Sequence, residues 1–313
     1  MIKVVFLATP DIAVESLKEL CNNKDFDVCA VITQPDRPKG RGNKLTPPPV
    51  KVCANENNVV CYQTEKISKD SELIEKLKEI KPDFLVTFAF GQILSQEVLD
   101  IPKFSTINLH ASLLPKYRGA NPIQRCIYNG DCETGITTMI TVLALDAGDI
   151  CKTDKIQITE NMNDVELKDI ISQKSPDLIC STLKELYDGS LTPTKQDENG
   201  VTIAKKFSKE DGLIDWNKTA IEIHNQVRSM LDFPTAYTTL ADKTVKIIET
   251  QVTDTETSAQ EVKITNVSKF GIEVATKKGI ILIKRVKPES KGIMNAFDFA
   301  NGAKIKAGMK IGE

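Results

Sequence analysis

The chain has 313 residues, 41% hydrophobic and 27% charged, with a formal net charge of −2. This length exceeds one ordinary domain, and this composition supplies an apolar core, which excludes a disordered chain and a small disulfide-stapled one. No apolar run reaches the roughly 18 residues that span a membrane. Residues 1–7 are too short an apolar stretch for a signal peptide, so the expected compartment is the cytoplasm, with no membrane partner. Eight cysteines (Cys21, Cys29, Cys53, Cys61, Cys126, Cys132, Cys151 and Cys180) contain no C-x-x-C pair, and there are only two histidines. Reduced thiols and no metal are therefore expected.

In chain order, residues 3–8 form an apolar strand-type run, and Thr9-Pro10-Asp11 opens a helix to about Cys21. Strands are predicted at 26–33 and 58–62, a helix at 70–80 from Leu73, Ile74, Leu77 and Ile80, and a nearly all-apolar strand at 83–89. This β-α-β alternation predicts a Rossmann-like, mostly parallel sheet that binds ligands beyond the carboxyl ends of its strands. No G-x-G-x-x-G follows the first strand, and no P-loop is present, so dinucleotide binding is disfavoured. Residues 34–49 form a long connection rich in proline, glycine and basic side chains: a solvated surface loop or an arm for a phosphate backbone.

The pattern changes after Ile158. A helix is expected at 164–188, a polar linker follows, and another helix lies near 219–231. Short strands at 235–240, 243–253, 261–267, 271–275 and 279–286 suggest a smaller OB-like β-barrel. The expected division is a catalytic domain at 1–189, a linker at 190–206 and a C-terminal domain at 207–313. From Lys263 to the end there are 11 basic against 4 acidic residues, which suits a polyanionic partner or simply a lysine-rich face.

Chemistry concentrates between residues 105 and 149. Asn108 and His110 are two apart at a predicted strand end and so face one way. Asp146 follows another apolar run and can reach the same sheet edge. An amide, an imidazole and a carboxylate suit acyl transfer to an amine. Asn and charged His donate to a developing oxyanion. A neighbouring carboxylate favours the charged ring, orients it, and can accept the proton the amine loses. By itself Asn-x-His is more often a structural hydrogen-bonded pair, and Leu-Asp-x-Gly more often a turn. The proline of Leu114-Pro115, directly after the strand, suggests a tight turn with a cis bond. His224 is expected to serve packing.

The run Asn108-Leu109-His110-Ala111-Ser112-Leu113-Leu114-Pro115 is similar to the N-x-H-x-S-L-L-P signature of folate-dependent formyltransferases, and Gly135 through Asp149 resembles their second signature, ending in L-D-x-G. The resemblance implies Asn108, His110 and Asp146 as the catalytic residues. It implies 10-formyltetrahydrofolate as co-substrate, in a cleft formed by Phe88, Ala89, Phe90, Gly91, Ile93, Leu94, Ser112, Leu113, Leu114, Pro115, Met139, Leu143 and Leu145, read mainly by main-chain groups. Phe90-Gly91 stands where Tyr-Gly is common, which removes a ring hydroxyl. Over nearly its whole length the chain resembles the branch acting on initiator methionyl-tRNA. That likeness implies that Arg41, helped by Arg37, Lys39 and Lys44, contacts the tRNA acceptor stem, and that no protein partner is obligatory. The alternatives are a formyltransferase acting on a small amine, such as glycinamide ribonucleotide or an amino sugar, and an RNA-binding protein without catalysis.

Overall fold

The computed structural model describes residues 1–39, 42–241, 243–258 and 261–312. Its contacts divide the chain into two units. The first takes Met1–Gly119, Thr134–Ile156 and Lys168–Ile203; the second takes Ala120–Glu133, Gln157–Leu167 and the chain from Ala204 onward.

The first unit is built on a seven-stranded sheet. Its strands are β1 (Ile2–Ala8), β2 (Phe26–Thr33), β5 (Cys61–Gln63), β6 (Phe84–Phe88), β7 (Ser105–His110), β9 (Glu133–Ile140) and β10 (Ile150–Gln157), in the order β10-β9-β7-β6-β1-β2-β5. The intervening β3 (Arg37–Lys39) and β4 (Lys44–Thr46) pair only with each other, and β8 (Arg118–Gly119) and β11 (Ile203–Ala204) are two-residue strands. Pairing is parallel from β5 through β2, β1 and β6 to β7, and antiparallel between β7 and β9.

Parallel strands covered on both faces need apolar side chains on both faces. β6 is buried at all five positions, and β1 at all but Lys3. On one face Val5, Leu7, Ile32 and Leu85 pack with Leu73, Ile74 and Leu77 of the helix Ser71–Ile80. The Asp70 side chain starts that helix by accepting the Leu73 N–H, and Lys81 ends it in a left-handed conformation, φ +51°.

The second unit carries a curled antiparallel sheet, a half-barrel. Its order is β12 (Tyr237–Leu240), β13 (Lys243–Asp254), β16 (Ile280–Pro288), β15 (Gly271–Ala275) and β14 (Lys263–Ser268), with β17 (Met294–Asn295) beside β16. Register shifts along β13–β16 and β14–β15 supply the bulges that curl such a sheet. Its concave face packs Val245, Ile247, Ile272, Ile281 and Ile283 around Trp216 and the helix Ala220–Arg228, which opens on a Thr219–Glu222 capping box. Gly271 lets β15 approach β16: its φ is +141°, and a Cβ there would stand 2.0 Å from the Ile283 carbonyl oxygen. His224 is buried here, both ring nitrogens engaged, with Thr250 Oγ1 at 2.9 Å and the Glu160 carbonyl at 3.3 Å.

Two elements differ from the sequence expectation. The basic connection after β2 contains the β3–β4 hairpin, and the helix Pro49–Glu56 follows, with proline in its first turn. Arg41 lies outside the described residues.

Candidate active site

Asn108 and His110 project from the same face of β7, near its carboxyl end, where β6 also ends because Phe88 pairs with Leu109. Thr87, opposite Asn108 on β6, donates its hydroxyl to Asn108 Oδ1 at 2.8 Å. That bond orients the amide and leaves its N–H groups directed elsewhere.

His110 is buried. Its Nε2 lies 2.9 Å from the Tyr117 carbonyl oxygen, an acceptor only, so Nε2 carries a proton and Nδ1 is the nitrogen left for chemistry. The chain returns Tyr117 to the ring through a tight turn in which Ser112 Oγ donates to the Lys116 carbonyl (2.7 Å) and Lys116 N–H to the Leu113 carbonyl (3.1 Å). The Leu114–Pro115 bond within it is cis.

Asp146 arrives from the connection between β9 and β10. Its Oδ2 is 3.7 Å from His110 Nδ1 and accepts the Gly119 N–H at 2.8 Å. The first distance is an ion-pair separation, longer than a hydrogen bond. Gly148 lets the connection close tightly, since a Cβ there would stand 1.8 Å from the Ile140 carbonyl oxygen. Asn108 and His110 thus stand on one face near the end of β7, with the Asp146 carboxylate beside the His110 ring.

The site contains no activated thiol. Burial pushes Cys151 and Cys180 up to about 12, and Cys21 and Cys29 up to about 11. Among the described residues no His, Cys, Asp and Glu cluster is placed to hold a metal ion, and no helix is long and apolar enough to cross a membrane.

Comparison with known proteins fits this chemistry. The sequence profile of the formyl transferase family matches residues 2–183, and that of the formyl transferase C-terminal domain matches residues 206–304. Methionyl-tRNA formyltransferase of Clostridium acetobutylicum is 45% identical over 309 residues, covering 99% of each chain. The protein of the same name from Clostridium perfringens is 45% identical over 307 residues, covering 98% of each. The chain belongs to the formyl transferase family, in its methionyl-tRNA formyltransferase branch. Solved structures share the fold at low identity. An N-formyltransferase from Helicobacter canadensis, in complex with folinic acid and dTDP-3-aminofucose, has a TM-score of 0.69 at 21% identity, covering 90% of this chain and 99% of that one. HypX from Aquifex aeolicus, in complex with tetrahydrofolic acid, has a TM-score of 0.62 at 15% identity, covering 98% and 48%.

In this formyl transferase the residues expected around the folate divide by exposure. Phe88, Phe90, Leu94, Ser112, Leu114 and Met139 are buried as whole residues. Leu113 and Pro115 are half-buried, and Ala89 and Gly91 are exposed. Ala89 has φ +49° and Gly91 φ +76°. Ile93, Leu143 and Leu145 are 82%, 60% and 64% exposed, apolar surface that a flat aromatic ligand would cover. The Phe90 carbonyl is held by Gln34 Nε2 at 3.0 Å. Of the expected tRNA contacts, Arg37 pairs with Glu65 at 2.6 Å, while Lys39 and Lys44 are exposed and directly opposite each other in the hairpin. Sequence reasoning missed Thr87, Gly119 and Gln196. Gln196 donates to the carbonyls of Asp146 and Gly148, and its only sequence signal was a polar stretch that read as linker.

Proposed function

We propose that this chain, in the cytoplasm, transfers the formyl group of 10-formyltetrahydrofolate to the methionine amino group of initiator methionyl-tRNA. The amine attacks the formyl carbon, and the new C–N bond leaves a tetrahedral oxyanion. Asn108 Nδ2–H donates to that oxygen, with the amide held from behind by Thr87. His110 has Nε2–H committed to the Tyr117 carbonyl and offers Nδ1–H from a charged ring as the second donor. Asp146 stabilises that charge and accepts the amine's proton, directly or through one water, the 3.7 Å gap tightening as substrate arrives. Collapse expels the folate nitrogen, and the proton that Asp146 accepted passes to it, directly or through water, as its bond to the formyl carbon breaks. No covalent enzyme intermediate is needed, in keeping with the raised thiols.

Three features support tRNA as acceptor. The relatives named methionyl-tRNA formyltransferase match along almost the full chain, half-barrel included. The hairpin opposes Lys39 and Lys44, a like-charge pair that a phosphate backbone would relieve. The C-terminal region is strongly basic. We assign Arg41, with Arg37, Lys39 and Lys44, to the acceptor stem, and the main chain of residues 88–94 and 112–115, with Met139, Leu143 and Leu145, to the folate cleft.

The full-length relationship carries this reading. It is tested by supplying 10-formyltetrahydrofolate with charged initiator tRNA, glycinamide ribonucleotide or a nucleotide-linked amino sugar. We expect kcat/KM for methionyl-tRNA to exceed that for either small amine by at least about 10³-fold. Faster turnover of a small amine would overturn it.

A further inference from the structure

Asp146 has φ +48°, a left-handed conformation that aspartate adopts more readily than most residues with a Cβ but that still needs local support. Part of that support comes from a residue fifty positions away. Gln196 Nε2 donates to the Asp146 carbonyl at 2.8 Å and to the Gly148 carbonyl at 2.7 Å, so one amide group clamps both sides of the turn. Gln196 Oε1 accepts from Arg118 Nε at 3.0 Å and Nη2 at 2.8 Å. Arg118 is 7% exposed and is itself held by Glu198, Nη2 to Oε1 at 2.8 Å.

The neighbours of Arg118 close the circuit. The Tyr117 carbonyl accepts from His110, and the Gly119 N–H donates to the Asp146 carboxylate. Three consecutive residues therefore address His110, Gln196 and Asp146 in turn. The Gln196 amide has two donors on carbonyl oxygens and one acceptor on a guanidinium, a set that only an amide satisfies. A carboxylate at this position would point an oxygen at two carbonyls, and an apolar side chain would leave them unpaired.

We infer that Gln196, backed by Arg118, is a positioning residue for formyl transfer: it fixes the turn so that the Asp146 carboxylate stands beside His110 Nδ1. This rests on the reading of Asp146 as the proton acceptor. Placement errors near 1 Å can cost about 100-fold in rate, so the effect belongs in kcat and depends on the presence of the carboxylate.

The test measures single-turnover formyl transfer, KM for the formyl donor and the thermal midpoint in Gln196→Met, Gln196→Glu and Asp146→Asn, and in each Gln196 variant combined with Asp146→Asn. Gln196→Met is uncharged and of similar length, so it serves if Gln196→Glu fails to fold. Each Gln196 variant is expected to lose about 10- to 100-fold in kcat, with KM within about threefold, and to add little to the loss already caused by Asp146→Asn. If Asp146→Asn is slow but Gln196→Met retains full kcat, the inference is wrong. It is equally wrong if the Gln196 loss persists in full on the Asp146→Asn background, because Gln196 would then act elsewhere. If Asp146→Asn itself is fully active, the proton-acceptor reading is what fails.

Discussion

Thr87 has the job of a latch on Asn108. Its hydroxyl holds the amide oxygen, and without it the amide can rotate and present oxygen instead of N–H to a negative charge. A neutral hydrogen bond contributes about 1 kcal/mol, so Thr87→Val, similar in shape, should lower kcat by about 5- to 10-fold while the thermal midpoint moves little. An unchanged kcat would show that Asn108 needs no latch. Gly148→Ala is expected to behave differently. The Cβ would press on the Ile140 carbonyl, so stability and kcat should fall together, by about 1–3 kcal/mol for an overpacked site. Calorimetry alongside the rate assay separates the two patterns. At this scale the sequence was informative about Asn108 and His110, whose two-residue spacing places them on one strand face. It said nothing of Thr87, Gly119 or Gln196, which act through pairing across strands and turns and have no local spacing signal.

The β3–β4 hairpin is the element whose exposed charges most need a partner. Arg37 is paired with Glu65, but Lys39 and Lys44 repel across the hairpin. Replacing both with Ala should raise KM for methionyl-tRNA, reduce the salt dependence of that KM by about two phosphate contacts, and leave KM for the formyl donor unchanged. An equal rise in both constants would remove the hairpin from the tRNA interface. The major strands and the helix Ser71–Ile80 were readable because burial on both faces, or on one helical stripe, leaves a long periodic pattern. The hairpin was not, since all six of its strand residues are exposed and no alternation exists. The helix Pro49–Glu56 hides behind three prolines and buries only Val50, Cys53 and Ala54.

For the whole molecule, length suggested two domains, and the strand and helix pattern suggested the order of their folds. Neither could show that residues 120–133 and 157–167 group with the C-terminal unit, because tertiary contacts decide that. One of these segments carries a pH-sensitive group. Asp164 is buried, and burial pushes its carboxyl up to about 6, although it accepts N–H bonds from Leu231 and Asp232. The folded state then holds a proton that the unfolded chain releases above about pH 4. Stability from this group is full below that pH and is lost as pH rises through 6. Asp164→Asn should therefore raise the thermal midpoint more at pH 7.5 than at pH 5. A larger gain at pH 5 would reverse the assigned direction.

In the proposed reaction His110 acts on the reacting oxygen, within a site that holds its substrates by other means. Single-turnover formylation of initiator methionyl-tRNA by His110→Ala, with tRNA affinity measured on the same preparation, tests it most directly. Formyl transfer should fall by about 10²- to 10³-fold, the scale of losing an oxyanion donor, while the affinity stays within about twofold of wild type. Transfer at near wild-type rate would contradict the account.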